Sequence, residues 1–262
     1  MRKSMLALSA ALTLGLGLSL GGARAADEIS DATMILNAKS NTIKKWHYSP
    51  RFVVVHDRPV DREAFADVAE FIRDTTGLAM DPPDFVHLAS DTLADRFYTE
   101  SHYAPRRTDA GRMTSDLLIA GHEDLNLTAN VFVFMVSPPL ASHLMLLTAW
   151  GRSSSNLPRA YAQGSGPCYF NVLSNADSIH FGTIVISPDI APTMQASCIY
   201  EEMTQAMGLM NDAQNSPFFT YDNLDEDKPR TYDRRLLAAL YNADVTNGDA
   251  VEKVLGIYAK QH

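Results

Sequence analysis

Residues 198–212 read CIYEEMTQAMGLMND, and the spacing of polar side chains in this stretch decides the fold. An α-helix turns about 100° per residue, so Glu201 and Gln205 project from the same face. Glu202 lies one step around the helix and still reaches the same cleft. Gly208 allows the chain to leave the helix sharply. The stretch therefore predicts a helix that presents two carboxylates and an amide to one cleft.

Two further polar residues, Asn211 and Asp212, follow this predicted helix. They come after the glycine turn, where the returning chain can meet the side chains of the helix. The spacing thus predicts that carboxylates and amides converge. The alternative is an amphipathic helix whose polar face is simply solvated.

The spacing also matches that of zinc peptidases. These enzymes place two histidines four residues apart, with a glutamate directly after the first. Metzincins add a glycine three residues after the second histidine and a third ligand three residues later. Here the three ligand positions hold Glu201, Gln205 and Asn211. Glu202 keeps the position of the general base, and Gly208 keeps that of the turn. The spacing is retained while the zinc-binding residue types are replaced.

Two downstream segments extend the resemblance to metzincins. Residues 216–221 resemble the methionine turn beneath the zinc site, with Phe219 in place of the Met and Tyr221 at the position of the Tyr that often follows it. Residues 231–241 resemble the closing helix of those enzymes, and a strand leading into the active-site helix is also expected. The resemblance implies an α+β fold. It would be a zincin-like mixed sheet with an active-site-type helix and C-terminal helices.

The chain is also similar to a family of exported bacterial proteins known as domain of unknown function 2927. The similarity lies in a Trp-led first strand, a Thr-Gly-Leu, a Gly-Pro-Cys and the Cys-x-x-Glu-Glu-x-x-Gln-x-x-Gly-Leu-x-Asn-Asp core. In this chain these are residues 46–56, 76–78, 166–168 and 198–212. The resemblance covers most of residues 46–248. It implies a zincin-like domain in the bacterial envelope, and it implies no established activity.

Residues 1–25 have the features of a cleaved signal peptide. Arg2 and Lys3 precede an apolar run from Met5 to Leu20, and Ala23-Arg-Ala25 is a small-x-small cleavage signal. The alternative is a membrane-spanning helix, for which the run of 16 residues is short. We therefore expect a periplasmic or secreted protein that has no membrane span after cleavage.

Charge and length limit the possible functions of the remaining chain. The signal segment holds three basic and no acidic side chains, so its removal changes the formal net charge from −9 to −12. An acidic chain without a basic block is a poor candidate for nucleic-acid binding. We expect an N-terminal arm or helix at 26–45, followed by one zincin-like domain at 46–262.

Cys168 and Cys198 are the two cysteines of the chain. Export places them in an oxidising compartment, which favours a disulfide between them. The alternative is two free or metal-binding thiols. No Cys-x-x-Cys spacing and no nearby histidine partner supports that alternative. The histidines also offer no zinc site by spacing, because none lies four residues from another.

The apolar pattern along the chain predicts alternating strands and helices. Strands are predicted within 46–57 and at 115–120, 130–136 and 179–187. Helices are predicted at 61–76, 138–150, 193–207, 231–241 and 249–260. The segment 81–112 is predicted to form short strands and loops, and the sequence assigns it no role.

These observations lead to two functional hypotheses. In the first, the protein is a non-catalytic module that binds a peptide or a cell-envelope partner in the former cleft, with no cofactor. In the second, it is a peptidase-like hydrolase whose Glu201, Gln205 and Asn211 hold a divalent cation of unknown identity. Glu202 would then be the general base. Amide oxygens are weak ligands for zinc, whereas Ca²⁺, Mg²⁺ and Mn²⁺ prefer oxygen. The sequence therefore favours the first hypothesis, with Gly208, Asp212, Phe219 and Tyr221 as supporting residues.

Overall fold

The structure, a computed structural model, describes most of the chain outside its N-terminal segment and several connecting segments. The described residues are 27–36, 41–87, 97–99, 106–107, 113–114, 117–119, 129–147, 166–174, 178–213, 218 and 231–261. The predicted signal peptide lies outside them, as do Phe219 and Tyr221. Among the described residues, no helix is both long enough and apolar enough to cross a membrane.

The described strands form one large sheet and two small ribbons. In chain order they are β1 (Phe52–His56), β2 (Asp84–His87), β3 (Phe97–Thr99), β4 (Arg106–Arg107), β5 (Met113–Thr114), β6 (Leu117–Ile119), β7 (Val131–Met135), β8 (Cys168–Ser174) and β9 (Ile179–Ile186). The large sheet has the order β2-β1-β7-β9-β8. Strands β2, β1, β7 and β9 are parallel, while β8 runs antiparallel to β9 at one edge. The ribbons pair β3 with β6 and β4 with β5.

The three inner strands are rich in β-branched and aromatic residues, and every residue in them is buried. This is expected for parallel strands that are covered on both faces. Successive side chains point to opposite faces. Phe52 and Val54 thus belong to the core on one side of the sheet, and Val53 and Val55 belong to the core on the other side.

Six α-helices are described. They are α1 (27–36), α2 (Arg62–Thr76), α3 (Pro138–Leu147), α4 (Pro192–Gln205), α5 (Thr231–Leu240) and α6 (Val251–Tyr258), with a short 3₁₀ turn at Ala259–Gln261. Both ends of helix α2 are set by capping residues. The Asp61 side chain accepts hydrogen bonds from the backbone N–H groups of Glu63 and Ala64. At the other end Gly77 has φ 73° and donates its N–H to the Arg73 carbonyl.

The helices lie on the two faces of the sheet, which confirms the predicted α+β class. Residues of α1, α2, α4, α5 and α6 share one core with one face of the sheet. On the opposite face, Ala141 and Leu144 of α3 pack against residues such as Phe132 and Val185. Helix α4 lies against α2, β8 and β9. It is therefore enclosed between the sheet and the other helices.

The first and last described segments pack against each other. Glu28 of α1 is 6 % exposed and lies 2.6 Å from the Arg235 guanidinium. The Tyr258 hydroxyl of α6 donates to the same carboxylate. Further along the chain, the Ile43 N–H donates to the Asp249 carbonyl at 2.7 Å. Helix α1 is thus held by the C-terminal helices.

Candidate functional site

Helix α4 carries the candidate site, and its ends follow from local sequence. Pro192 occupies the first turn, where a missing N–H costs little. After the helix, Gly208 has φ 119°, and its N–H donates to the Gln205 carbonyl. A Cβ atom at Gly208 would lie 2.6 Å from the Lys44 carbonyl oxygen. The position therefore needs glycine both for its backbone angles and for this close approach.

The predicted disulfide between Cys168 and Cys198 is present, and it holds α4 against the sheet. The two Cα atoms are 5.9 Å apart. Cys168 is the first residue of the edge strand β8, and Cys198 lies in α4 just before Glu201 and Glu202. The carboxylates are thus positioned next to the covalent link.

Glu201 and Glu202 are both buried, at 2 % and 4 % exposure. The Cys168 sulfur and one carboxylate oxygen from each glutamate lie within 4.8 Å of one another. Burial raises the pKa of Glu202 well above its usual value, and the charges of Glu201 and Asp212 raise this pKa further. Glu202 is therefore held toward its neutral form, in which it can donate a hydrogen bond.

Gln205 and Asp212 meet near the end of α4. The Gln205 Nε2 donates a hydrogen bond to the Asp212 carboxylate. Gln205 is 8 % exposed, so this contact satisfies a buried amide. The turn at Gly208 thus returns the chain to the helix, and Asp212 fixes the orientation of the amide.

Asn211 points elsewhere. Its side chain is exposed, and its Nδ2 donates to the Met34 carbonyl of α1 at 2.9 Å. Its backbone N–H donates to the Ile35 carbonyl. The structure therefore brings Glu201, Glu202 and Gln205 into one buried region and directs the third ligand-equivalent side chain to α1. The contact with α1 has no local sequence signal, because 177 residues separate its two partners.

The side chains gathered at α4 do not fit zinc. Protein zinc sites use imidazole nitrogen, thiolate sulfur and single carboxylates in a tetrahedral set. Here the Cys168 sulfur is bonded to Cys198 and offers no thiolate. Gln205 supplies an amide, and Asn211 is turned away. The two glutamates provide too few oxygens for Ca²⁺, which takes six to eight. The donor set at α4 therefore matches neither ion.

Comparison with known proteins identifies a family but no activity. Residues 26–259 match the model of a family described as protein of unknown function, DUF2927. The chain belongs to this family. No curated protein and no solved structure matches it.

Proposed function

We propose that this DUF2927 protein is a non-catalytic module that binds an extended peptide of a cell-envelope partner by strand addition at β8. The position of β8 carries the proposal. This strand is seven residues long, lies at the edge of the sheet, and within the described part of the chain pairs with β9 alone. An edge strand offers backbone N–H and C=O groups to an incoming chain.

The register shows which backbone groups of β8 face outward. The Ser187 N–H donates to the Pro167 carbonyl, so residues 167 and 187 form a hydrogen-bonded pair. Such pairs alternate along an antiparallel ladder. Given the pairing of Tyr169 with Val185, the backbone groups of Phe170 and Val172 point away from β9. A partner strand would bond to these residues.

The side chains of β8 favour a peptide ligand that is apolar on both of its faces. Phe170 and Val172 are half-buried against the core that includes α4, while Tyr169 and Leu173 pack against the core that includes α3. An added strand would continue both apolar surfaces. The peptide should therefore carry apolar side chains on both faces of its central residues.

The disulfide supports the proposed role by fixing the recognition strand. It joins the start of β8 to α4, which is itself packed against the sheet. A strand that is ordered before binding loses less conformational entropy when the peptide arrives. The edge is thus preorganised for association.

The chemistry at Glu202 supports binding over catalysis. A general base must lie within hydrogen-bond reach of the proton that it removes, whereas Glu202 is 4 % exposed. Its Oε2 atom is also buried. The metzincin-like spacing of residues 201–211, with other residue types at the ligand positions, is compatible with a zincin-like scaffold that has lost its ligands. The passage from β9 into α4 supports that finer description of the fold.

The proposed function includes a location outside the cytoplasm. The features of residues 1–25 support export by a cleaved signal peptide to the periplasm or the medium. The partner would then be another exported or envelope protein. Periplasmic recovery of the full-length gene product, with its N-terminus at Ala26, is the expected outcome of fractionation followed by N-terminal sequencing.

The test of strand addition compares Val172→Pro with Val172→Ala. Peptides are first selected from a displayed library of random extended sequences, and their affinities are measured by fluorescence anisotropy. Proline removes the outward N–H of residue 172 without removing a bond to β9, so we expect at least a tenfold loss of binding. Alanine removes the apolar side chain but keeps the N–H, and we expect a smaller loss.

Two results would overturn the proposal. One is unchanged affinity in a folded Val172→Pro variant, with folding checked by circular dichroism. The other is peptide hydrolysis by the purified protein that requires a divalent cation and disappears in Glu202→Gln. That second result would instead establish the metal-dependent hydrolase predicted as the alternative.

A further inference from the structure

The carboxyl ends of β1 and β2 hold a pair of histidines in register. Each strand ends in Val-His, as Val55-His56 and Val86-His87, and His56 pairs with His87 across the two strands. Neighbours in register on parallel strands project from the same face of the sheet. The centroids of the two rings are 5.3 Å apart. Two imidazoles therefore lie side by side, far from one another in sequence.

His56 lies at the point where the strand order of the sheet reverses, and His87 lies on the adjacent strand β2. From β1 the chain passes to β2 on one side, and later to β7 on the other side of β1. Open α/β sheets bind ligands outside the carboxyl ends of the strands at such a switch point. His56, the last residue of β1, occupies that position. The location is distinct from α4 and from the outer edge of β8.

The hydrogen bond of His56 fixes which ring nitrogen carries the proton. Its Nδ1 lies 2.7 Å from the Arg58 carbonyl oxygen, which can only accept. Nδ1 is therefore the protonated nitrogen, and Nε2 carries the lone pair. Nε2 is buried and has no hydrogen-bond partner among the described residues, in a side chain that is 6 % exposed overall. Metal-binding histidines commonly donate their other N–H to a backbone carbonyl in this way.

We propose that His56 and His87 bind one divalent transition-metal ion of the kind that prefers imidazole nitrogen, such as Cu²⁺ or Zn²⁺. With metal–nitrogen distances of about 2.0–2.1 Å, two rings on one tetrahedral ion have centroids about 5 Å apart. The observed separation of 5.3 Å agrees with this value.

The surroundings set the expected strength of binding. Among the described residues, no third histidine, cysteine or carboxylate completes the pair as a three-ligand group. Arg62 lies over the neighbouring Phe85 ring at 4.5 Å, and its positive charge opposes a cation. Asp57 follows His56, but its Oδ1 lies 3.8 Å from the Arg58 Nε, so its negative charge also faces the Arg58 cation. Binding should be weaker than in sites with three protein ligands, and water would fill the open positions.

Copper is the sharpest probe, because Cu²⁺ binds nitrogen sites most tightly among the common divalent ions. The full-length mature protein is titrated with Cu²⁺ by calorimetry and by electron paramagnetic resonance. We expect one ion per chain with hyperfine structure from two nitrogens. His87→Gln should weaken this site at least tenfold, and because His87 is exposed the variant should fold normally.

His47→Gln is the matched control, because His47 is also an exposed histidine beside an aromatic ring. It should bind copper as the wild type does. The proposal is overturned by equal copper affinity in the wild type and His87→Gln, or by an equal loss in both variants. A wild type that binds no copper would overturn it too. None of these outcomes affects peptide binding at β8.

Discussion

Helices α1 and α4 both contain buried glutamates, and the surroundings of Glu28 in α1 and of Glu202 in α4 differ in charge. Glu28 of α1 accepts hydrogen bonds from Arg235 and from the Tyr258 hydroxyl. Glu202 of α4 instead lies close to two other acids, Glu201 and Asp212, which raise its pKa together with burial. Burying a charge is costly unless it is paired or neutralised. Glu28 follows the first route, and Glu202 follows the second.

The difference separates two roles for a buried acid. A glutamate paired with arginine, such as Glu28 with Arg235, links segments that are distant in sequence. An acid that burial keeps near its neutral form can be lost or replaced with little structural cost, because its isosteric amide has the same shape and no charge. The region around α4 must then be held by something other than charge pairing. The Cys168–Cys198 disulfide is the evident candidate.

The largest expected effect is therefore the removal of that disulfide. The double variant Cys168→Ala/Cys198→Ala opens a loop that spans 30 residues in sequence. We expect the free energy of unfolding to fall by about 3–4 kcal/mol, because the unfolded chain regains the entropy that the link had removed. Urea denaturation under oxidising conditions measures the loss. A loss below about 1 kcal/mol would show that packing alone holds α4.

The next effect concerns the paired glutamate. The Arg235 guanidinium lies 2.6 Å from the Glu28 carboxylate, so Arg235→Met leaves this buried carboxylate without its cation. Removing one partner of a buried ion pair costs about 3–5 kcal/mol, and the 20 % exposure of the Arg235 side chain reduces the expected loss to about 2–3 kcal/mol. Thermal and urea denaturation provide the measurement.

Arg234→Met is the control for that variant. Arg234 is exposed and lies over the Phe71 ring at 4.9 Å, so its removal should cost less than about 1 kcal/mol. Equal losses in the two variants would contradict the special role assigned to the Glu28–Arg235 pair.

Glu202→Gln tests whether burial keeps Glu202 neutral, through the pH dependence of the free energy of unfolding. Below pH 4.5, the ordinary value for a glutamate, both folded and unfolded chains hold the proton. As the pH rises above that value the unfolded chain releases the proton and the folded chain keeps it. The stability contributed by Glu202 is therefore lost as pH rises, by up to about 1.4 kcal/mol per pH unit. The amide removes this slope, so the variant should equal the wild type near pH 4 and exceed it at pH 8.

Glu252→Gln provides the opposite sign. The Asn41 amide donates to Glu252 and lowers its pKa, so its contribution is present at neutral pH and lost as the pH falls. This variant should be less stable than the wild type at neutral pH and equal to it in acid. Urea unfolding from pH 4 to pH 9 compares both variants. A Glu202→Gln variant that is less stable than the wild type at pH 8 would show that Glu202 is needed in its charged form.

The smallest effect is expected at Asn211. Asn211→Ala removes one exposed hydrogen bond to the Met34 carbonyl, which is worth about 0.5–1 kcal/mol. Urea denaturation should show this loss, and its pH dependence should match that of the wild type. A changed pH dependence would place Asn211 with the acids of α4 instead of with α1.

Much of the fold could be predicted from local sequence. The run of valines at 53–55 predicts strand β1, and the cap residues that follow it predict both ends of helix α2. Both signals can be read from sequence because apolar periodicity and cap residues act within a few positions. Strand β8 was not predicted. Its apolar residues Tyr169, Phe170, Val172 and Leu173 lack a clear alternation, and its pairing depends on β9 across the hairpin.

The candidate site was harder to predict than the fold. Helical spacing predicts that Glu201, Glu202 and Gln205 share one helix because that relation is local, and all three are buried on α4. The direction of Asn211 depends on α1, and the pairing of His56 with His87 depends on strand order. Those relations are set by packing between distant segments, and no spacing rule within one element can supply them.

The contacts of α1 bear on the order in which the protein can assemble. The partners of Glu28, Arg235 and Tyr258, lie 207 and 230 positions later in the chain. A chain that emerges from its N-terminus exposes this helix first and supplies the surfaces that receive it last. Contacts between such distant positions form slowly, because a long loop must close before they stabilise anything. The apolar side of α1 therefore stays uncovered while the rest of the chain appears, which is the period when a binding chaperone would be most useful.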